Sequence, residues 1–157
     1  MPCYAAIDVG TNSVKFHIGE RREGDTWRTV ADRAEITRLG EGLEKSGEIN
    51  REAMARTVSA IAAMVDEAQR NAVAGIAAVG TMGMRTARNS EQFIDAVRQR
   101  CGVRIEVIPG EEEGRLAYLA VKSVSTWLKA LWPHSTQAGG ARNSHSVAVL
   151  SSKSASA

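Results

Sequence analysis

Cysteine is nearly absent from this chain, and the two present, Cys3 and Cys101, lie far apart with no ligand-like spacing. That spacing indicates neither a disulfide framework nor a zinc site, and favours buried or idle thiols. Charge of one sign is missing too. Lys and Arg number 20 against 18 Asp and Glu, and the net charge of +2 is too small and too evenly spread to indicate nucleic acid as a partner. No apolar run reaches membrane-spanning length, which argues against a membrane partner. The start Met1-Pro-Cys-Tyr has no basic n-region and meets Asp8 before any long apolar stretch, which excludes a signal peptide. With 157 residues, 43% of them hydrophobic, the chain has room for one domain with a proper core, and the expected location is the cytoplasm.

What the chain does have is concentrated at its front. Ala5-Ala-Ile-Asp-Val-Gly-Thr-Asn-Ser13 is an apolar strand running into an acidic residue, a glycine and three small polar residues. Gly10 has no Cβ to block close approach, so the N–H groups and short side chains of Thr11, Asn12 and Ser13 are free to point at an anionic oxygen. Asp8 is then placed to hold a metal or a water. An ordinary hairpin turn also favours Gly and Asn, and remains the alternative reading of these residues alone. Val14-Lys-Phe-His-Ile18 alternates as the return strand of a hairpin, with His17 read as a structural histidine between Phe16 and Ile18.

Further along, Thr26 to Arg38 is rich in β-branched residues and reads as a third antiparallel strand after the turn Glu23-Gly24-Asp25. Leu39 to Glu48 is glycine-punctuated and reads as a loop. Asn50 is an N-cap for a helix carrying Met54, Val58, Ile61, Ala62 and Val65 at helical spacing through Ala72. Gly75 to Gly80 reads as a strand buried on both faces, and Thr81 to Asn89 as an irregular turn. Ser90 is expected to cap a second helix with Phe93, Ile94 and Val97 inward, stopped by Gly102. Val103 to Ile108 alternates as a strand, and Pro109-Gly110 introduces a helix over 111–121 with acid in its first turn. The order βββαβαβα, with helical crossovers between parallel strands, is an α/β domain.

Three motifs now stand in sequence: Asp8-Val-Gly-Thr-Asn-Ser13, Gly80-Thr-Met-Gly-Met-Arg85 with Asn89 downstream, and Ile108-Pro-Gly-Glu-Glu-Glu-Gly-Arg115. Together they resemble the N-terminal domain of the exopolyphosphatase/guanosine pentaphosphate phosphatase (Ppx/GppA) family, over roughly residues 4 to 123. The second motif departs from the family's usual Ser-Ala-Leu-Arg but keeps the arginine. The resemblance implies an actin/Hsp70/sugar-kinase-like (ribonuclease H-like) fold and hydrolysis of terminal phosphoanhydride bonds of polyphosphate or guanosine pentaphosphate. It implies a Mg2+ cofactor and, for the intact form, a homodimer. By carry-over, Asp8 with Gly10, Thr11, Asn12 and Ser13 forms the phosphate cradle and holds the metal, Arg85 clamps the phosphate, and Glu113 is the catalytic base. Acids are common at helix starts, so Glu111, Glu112 and Glu113 taken alone would read as a solvated face. Arg88 and Arg115 stay in the class of surface arginines.

After Ser123 the family pattern stops, and the second cradle expected of the fold, Asp-Thr-Gly-Gly-Gly, is missing. Joining the last base of each codon to the first two of the next, with a permitted choice of bases, turns Val124 through Gly140 into Gly-Leu-Asp-Leu-Ala-Glu-Gly-Ser-Leu-Ala-Ala-Phe-Asp-Thr-Gly-Gly-Gly. The expectation is therefore a phosphatase domain over 1–123 and an out-of-frame, partly disordered tail over 124–157, with impaired activity. Two other readings stay open: an inactive fragment, and the phosphate-binding half of an actin-fold kinase. The kinase half has no reason to carry Gly110-Glu-Glu-Glu-Gly-Arg115.

Overall fold

In the computed structural model, which describes residues 1–116 and 118, the apolar alternation of the first strand decides which side of the sheet is packed. Ala5, Ile7 and Val9 of β1 (Cys3–Val9) and Val14, Phe16 and Ile18 of β2 (Ser13–Arg21) are buried on one face. Tyr4, Ala6, Lys15 and His17 lie between them on the other face and are exposed. The antiparallel register pairs Ile7 with Phe16 and Asp8 with Lys15. β3 (Trp27–Ile36) joins β2 as a mostly exposed edge, with Arg33 over the Phe16 ring at 5.4 Å. β4 (Gly75–Gly80) and β5 (Ile105–Val107) then add in parallel on the far side of β1, so the sheet runs β3-β2-β1-β4-β5.

The Leu39–Glu48 stretch, expected to be a loop, contains the one-turn helix α1 (Leu43–Ser46), because Leu43 is buried and Gly42 and Gly47 adopt left-handed conformations at its two ends. α2 (Arg51–Arg70) begins as expected at Asn50, whose side chain accepts from the Ala53 N–H at 2.7 Å. Its buried face runs through Ala53, Thr57, Ile61, Met64, Val65 and Ala68, while Met54 and Val58 are only partly covered. The helix stops at Arg70, short of Ala72, which takes a positive φ of 49°.

β4 is not buried on both faces: Ala78 is buried against the helices, but Ala77 on the other side is exposed. The Thr81–Asn89 stretch, expected to be irregular, holds a short helix, α3 (Met82–Thr86), with Met84 packed inward. α4 (Ser90–Cys101) buries Phe93, Ile94 and Val97 and ends at Gly102 in the left-handed conformation, as the sequence indicates. Ser90 is not its cap. Asn89 stands at the cap position, and its side chain makes no cap bond but reaches across to the turn before α2. There its Oδ1 accepts from the Ile49 N–H at 2.8 Å and its Nδ2 donates to the Ile49 carbonyl at 2.9 Å. The last strand is three residues rather than the six of Val103–Ile108, and the chain is helical over 110–116; the remainder of the helix expected through 121 falls largely outside the described residues. The expected tail over 124–157 lies outside them altogether. Among the described residues no helix is long and apolar enough to cross a membrane, and Cys3 and Cys101 are free and partly buried.

Because Asn89 satisfies both backbone groups of the buried Ile49, Asn89→Ala should lower stability by about 2 kcal/mol or more. Ser90→Ala should stay within about 0.5 kcal/mol. Urea unfolding of the two variants, compared at constant m-value, checks the difference.

Candidate active site

The loop between β1 and β2 is shaped by what its carbonyls do. The Asn12 carbonyl accepts from the N–H groups of Thr37 and Arg38 at 3.1 and 2.9 Å, and the Thr11 carbonyl accepts from Gly40 N–H at 2.9 Å. Gly10 N–H closes the turn on the Ser13 carbonyl at 3.0 Å. Among the described residues the N–H groups of Thr11 and Asn12 have no acceptor. The loop's acceptors are thus tied to the segment after β3, and two of its donors are left over, the arrangement an anion requires.

That segment is fixed in turn by α2. Arg56 donates to the Thr37 carbonyl at 2.7 Å and pairs with Glu41 at 3.1 Å, and Asn50 donates to the Glu41 carbonyl at 2.9 Å. Arg38, within it, takes a positive φ of 50°, a conformation costly for a residue with a Cβ and held here by its bond to Asn12. Thr11 sits between two glycines: a Cβ on Gly40 would run into Thr11 Cγ2, and one on Gly83 would come to 2.9 Å from Thr11 Oγ1.

A cleft of about 350 Å³ opens at this point, lined by Asp8, Gly10, Thr11, Asn12, Ser13, Lys15, Thr81, Met82 and Glu113. It lies outside the carboxyl ends of the parallel strands β1 and β4, where open α/β sheets place ligands. Of the expected site residues, the structure therefore brings Asp8, the whole loop and Glu113 to one cavity. Arg85 is not in its lining but stands immediately behind Glu113, donating to Glu113 Oε2 at 3.1 Å and to the Ile108 carbonyl at 2.7 Å. Lys15 lies outside all three motifs, and Thr81 and Met82 lie within the second but were given no role there; all three line the cleft. Alternation along β2 put Lys15 on the same face as Asp8, and only the cross-strand register placed it directly opposite.

The three consecutive glutamates part company. Arg115 grips Glu112 with two bonds of 2.9 and 2.7 Å, and this hydrogen bonding holds the Glu112 carboxyl below its usual range. Glu111 and Glu112 border a separate depression with Pro109 and Arg115, whereas Glu113 faces the loop. Arg88 donates to the Ser46 carbonyl at 2.9 Å and His17 lies 3.8 Å from Asp32, both away from the cleft lining. Asp8 Oδ1 is buried with no hydrogen-bond partner among the described residues, while Oδ2 lies 3.4 Å from Lys15 Nζ. A buried, unmatched carboxylate oxygen is a place whose chemistry asks for a cation or a water.

An Asp-Gly loop with spare amide donors, at the carboxyl ends of the inner strands of a three-antiparallel, two-parallel sheet, marks an actin-like domain. The chain matches the Ppx/GppA phosphatase family over residues 18–131, and it belongs to that family. It is 31% identical to the Aquifex aeolicus Ppx/GppA phosphatase, whose crystal structure superposes with a TM-score of 0.73 over 77% of this chain and 40% of that one. Among curated relatives, the guanosine-5'-triphosphate,3'-diphosphate pyrophosphatase of Photobacterium profundum is 35% identical over 125 residues, 79% of this chain and 25% of the relative. Exopolyphosphatase 1 of Mycobacterium bovis is 30% identical over 121 residues, 77% of this chain and 35% of the relative. The chain thus spans between a quarter and about a third of the length of these curated relatives.

The wedge of Thr11 between glycines gives a stability test. Gly40→Ala should displace the loop and cost about 1–3 kcal/mol. Gly114→Ala, in a helical segment where a Cβ meets nothing within 4 Å, should be neutral or stabilising. Thermal unfolding of both variants decides, and equal melting temperatures would remove the wedge.

Proposed function

We propose that this chain carries the first phosphate-binding half of a phosphohydrolase that removes the terminal phosphate of inorganic polyphosphate or guanosine pentaphosphate, with Glu113 as the base that orients water. The observation that carries the reading is that Glu113, alone of its acidic triplet, lines the same cleft as Asp8 and the Gly10–Ser13 loop. In this reading the spare N–H groups of Thr11 and Asn12 bind the oxygens of the terminal phosphate. Arg85 holds the Glu113 carboxylate, and its remaining N–H donors are left for a phosphate oxygen. Glu113 accepts the proton of the attacking water as the new O–P bond forms and the bond to the leaving phosphate breaks. The proton then passes to the leaving oxygen.

Magnesium fits this cleft with Asp8 as a protein ligand. Among the described residues no group of three or more His, Cys, Asp or Glu side chains could cage a metal, so Asp8 would share the ion with phosphate oxygens and water, the usual coordination of Mg2+ at phosphate sites. Bound there, the ion would offset the charge of the phosphate. The homodimer and the cytoplasmic location belong to the same reading and rest on the family resemblance and on composition.

We also propose that residues 124–157 are translated out of frame, so that the chain as it stands releases phosphate slowly or not at all. The support is in the sequence: residues 96–157 contain no aspartate and so no second Asp-Gly loop, yet a one-base shift within 124–140 regenerates Asp-Thr-Gly-Gly-Gly. Sequencing the DNA around codon 123 tests this. Restoring one base should yield a longer product with Mg2+-dependent phosphate release, and codons unable to regenerate the loop would refute it.

In the frame-restored protein, Glu113→Gln should lower turnover on polyphosphate by about a hundredfold or more while leaving substrate binding largely intact. Arg85→Ala should weaken both. Phosphate release under saturating and limiting substrate separates the two patterns, and near-normal turnover by the Glu113→Gln variant would end the assignment of Glu113 as base.

A further inference from the structure

Thr81 brings to the cleft a hydroxyl that the protein itself does not use. It stands at the end of β4 where α3 begins, is only 8% exposed, and lines the cavity shared by Asp8, the Gly10–Ser13 loop and Glu113. A threonine at a helix cap ordinarily gives its side-chain oxygen to an N–H of the first turn. The Thr81 side chain makes no such bond, and the Thr81 carbonyl accepts instead from the Met84 and Arg85 N–H groups at 3.0 and 3.2 Å. Its N–H is spent on the Val9 carbonyl at 3.3 Å. Among the described residues Oγ1 has no hydrogen-bond partner. A hydroxyl shielded from bulk solvent and left unpaired calls for a partner that the cleft supplies.

One turn after Thr81, α3 carries Arg85, which donates to Glu113 Oε2 at 3.1 Å and to the Ile108 carbonyl at 2.7 Å. Glu113 Oε1 has no partner among the described residues. The same short helix therefore fixes the acid and begins with the threonine, and each brings one open oxygen to a cavity of about 350 Å³. The spare N–H groups of Thr11 and Asn12 suit phosphate oxygens, whereas a carboxylate and an uncharged hydroxyl together suit a water. A water attacking in line needs two partners: one takes its proton, and the other fixes the remaining O–H so that a lone pair points at phosphorus.

We infer that Thr81 positions the attacking water. One O–H of the water donates to Glu113 Oε1 and the other to Thr81 Oγ1. As the O–P bond forms and the bond to the leaving phosphate breaks, the first proton passes to Glu113 and the second stays on the attacking oxygen. Thr81 keeps its own. The inference rests on Glu113 as base, proposed above, and adds to it a residue to which no motif gave a role.

The test reads phosphate release from polyphosphate by the frame-restored protein. Thr81→Val, which keeps the shape, should lower kcat about tenfold, the loss expected for one hydrogen bond, with KM within about twofold. Thr81→Ser should keep kcat within about threefold, since the hydroxyl is retained. Adding Thr81→Val to Glu113→Gln should lower kcat by no more than about twofold further, because the two residues act on one water. In the chain as it stands, Thr81→Val should lower the melting temperature by no more than about 2 °C, because no bond within the protein is lost. Near-normal kcat in Thr81→Val, beside a defective Glu113→Gln, would overturn the role of Thr81 and leave the base standing. A full tenfold further loss in the double variant would overturn it too. So would a kcat loss accompanied by a large fall in melting temperature and not recovered by Thr81→Ser, which would make the residue structural. No phosphate release by the frame-restored protein, or near-normal turnover by Glu113→Gln, would overturn both this inference and the reading it rests on.

Discussion

The site depends on where three backbone carbonyls point. With Thr11 and Asn12 giving their carbonyl oxygens to Thr37, Arg38 and Gly40, and Ser13 giving its own to Gly10, the acceptors of the loop are consumed by the protein. A loop whose carbonyls faced the cleft would repel phosphate through its dipoles. Turned the other way, it presents N–H groups instead, and an anion completes a hydrogen-bonding account that the fold leaves open. The segment after β3 performs this turning and is itself clamped to α2 through Arg56 and Asn50. Helix packing on the sheet is therefore coupled to the geometry of the loop, and the buried face of α2 that stabilises the domain also aims the loop.

A second coupling runs from the β4–β5 half of the sheet. Asn89 ties the start of α4 to the turn before α2, so the two helices that cover one face are joined by side-chain bonds to a buried backbone as well as by apolar contact. α3 lies between β4 and that junction, and Arg85 leaves it to hold Glu113 and the Ile108 carbonyl. The acid in the cleft is thus positioned by an arginine anchored to the strand end before it. An isolated glutamate in the first turn of a helix would sweep a wide volume; one pinned at 3.1 Å to a guanidinium does not.

Much of this was legible in the chain. Alternation in Ala5–Val9 and Val14–Ile18, the cap Asn50 and the Phe93, Ile94 and Val97 stripe are local signals, each repeating within a few residues, and each led to the right element. The three motifs carried the family, and the family carried the fold. The short helices α1 and α3 were not legible, because four or five residues are too few to show a period, and their helicity comes from burying Leu43 and Met84. Ser90 looked like a cap because a serine before an acidic first turn usually is one; Asn89 took that position and put its side chain to a tertiary use that no local rule describes.

The sequence by itself determined the order of the strands and of the two long helices, the buried face of the hairpin and the loop of small residues after Asp8, since these follow from spacing along the chain, and its three motifs carried the resemblance to the family. Only the tertiary structure decided which of three adjacent glutamates faces the loop, that Arg85 bonds to that glutamate, and that Lys15 stands across from Asp8. Those facts depend on separations of 28 residues for Arg85 and Glu113 and on the register between β1 and β2. Spacing along a chain specifies neither, because one residue of slip between strands exchanges every inward side chain for an outward one, and only the packed core excludes the slip.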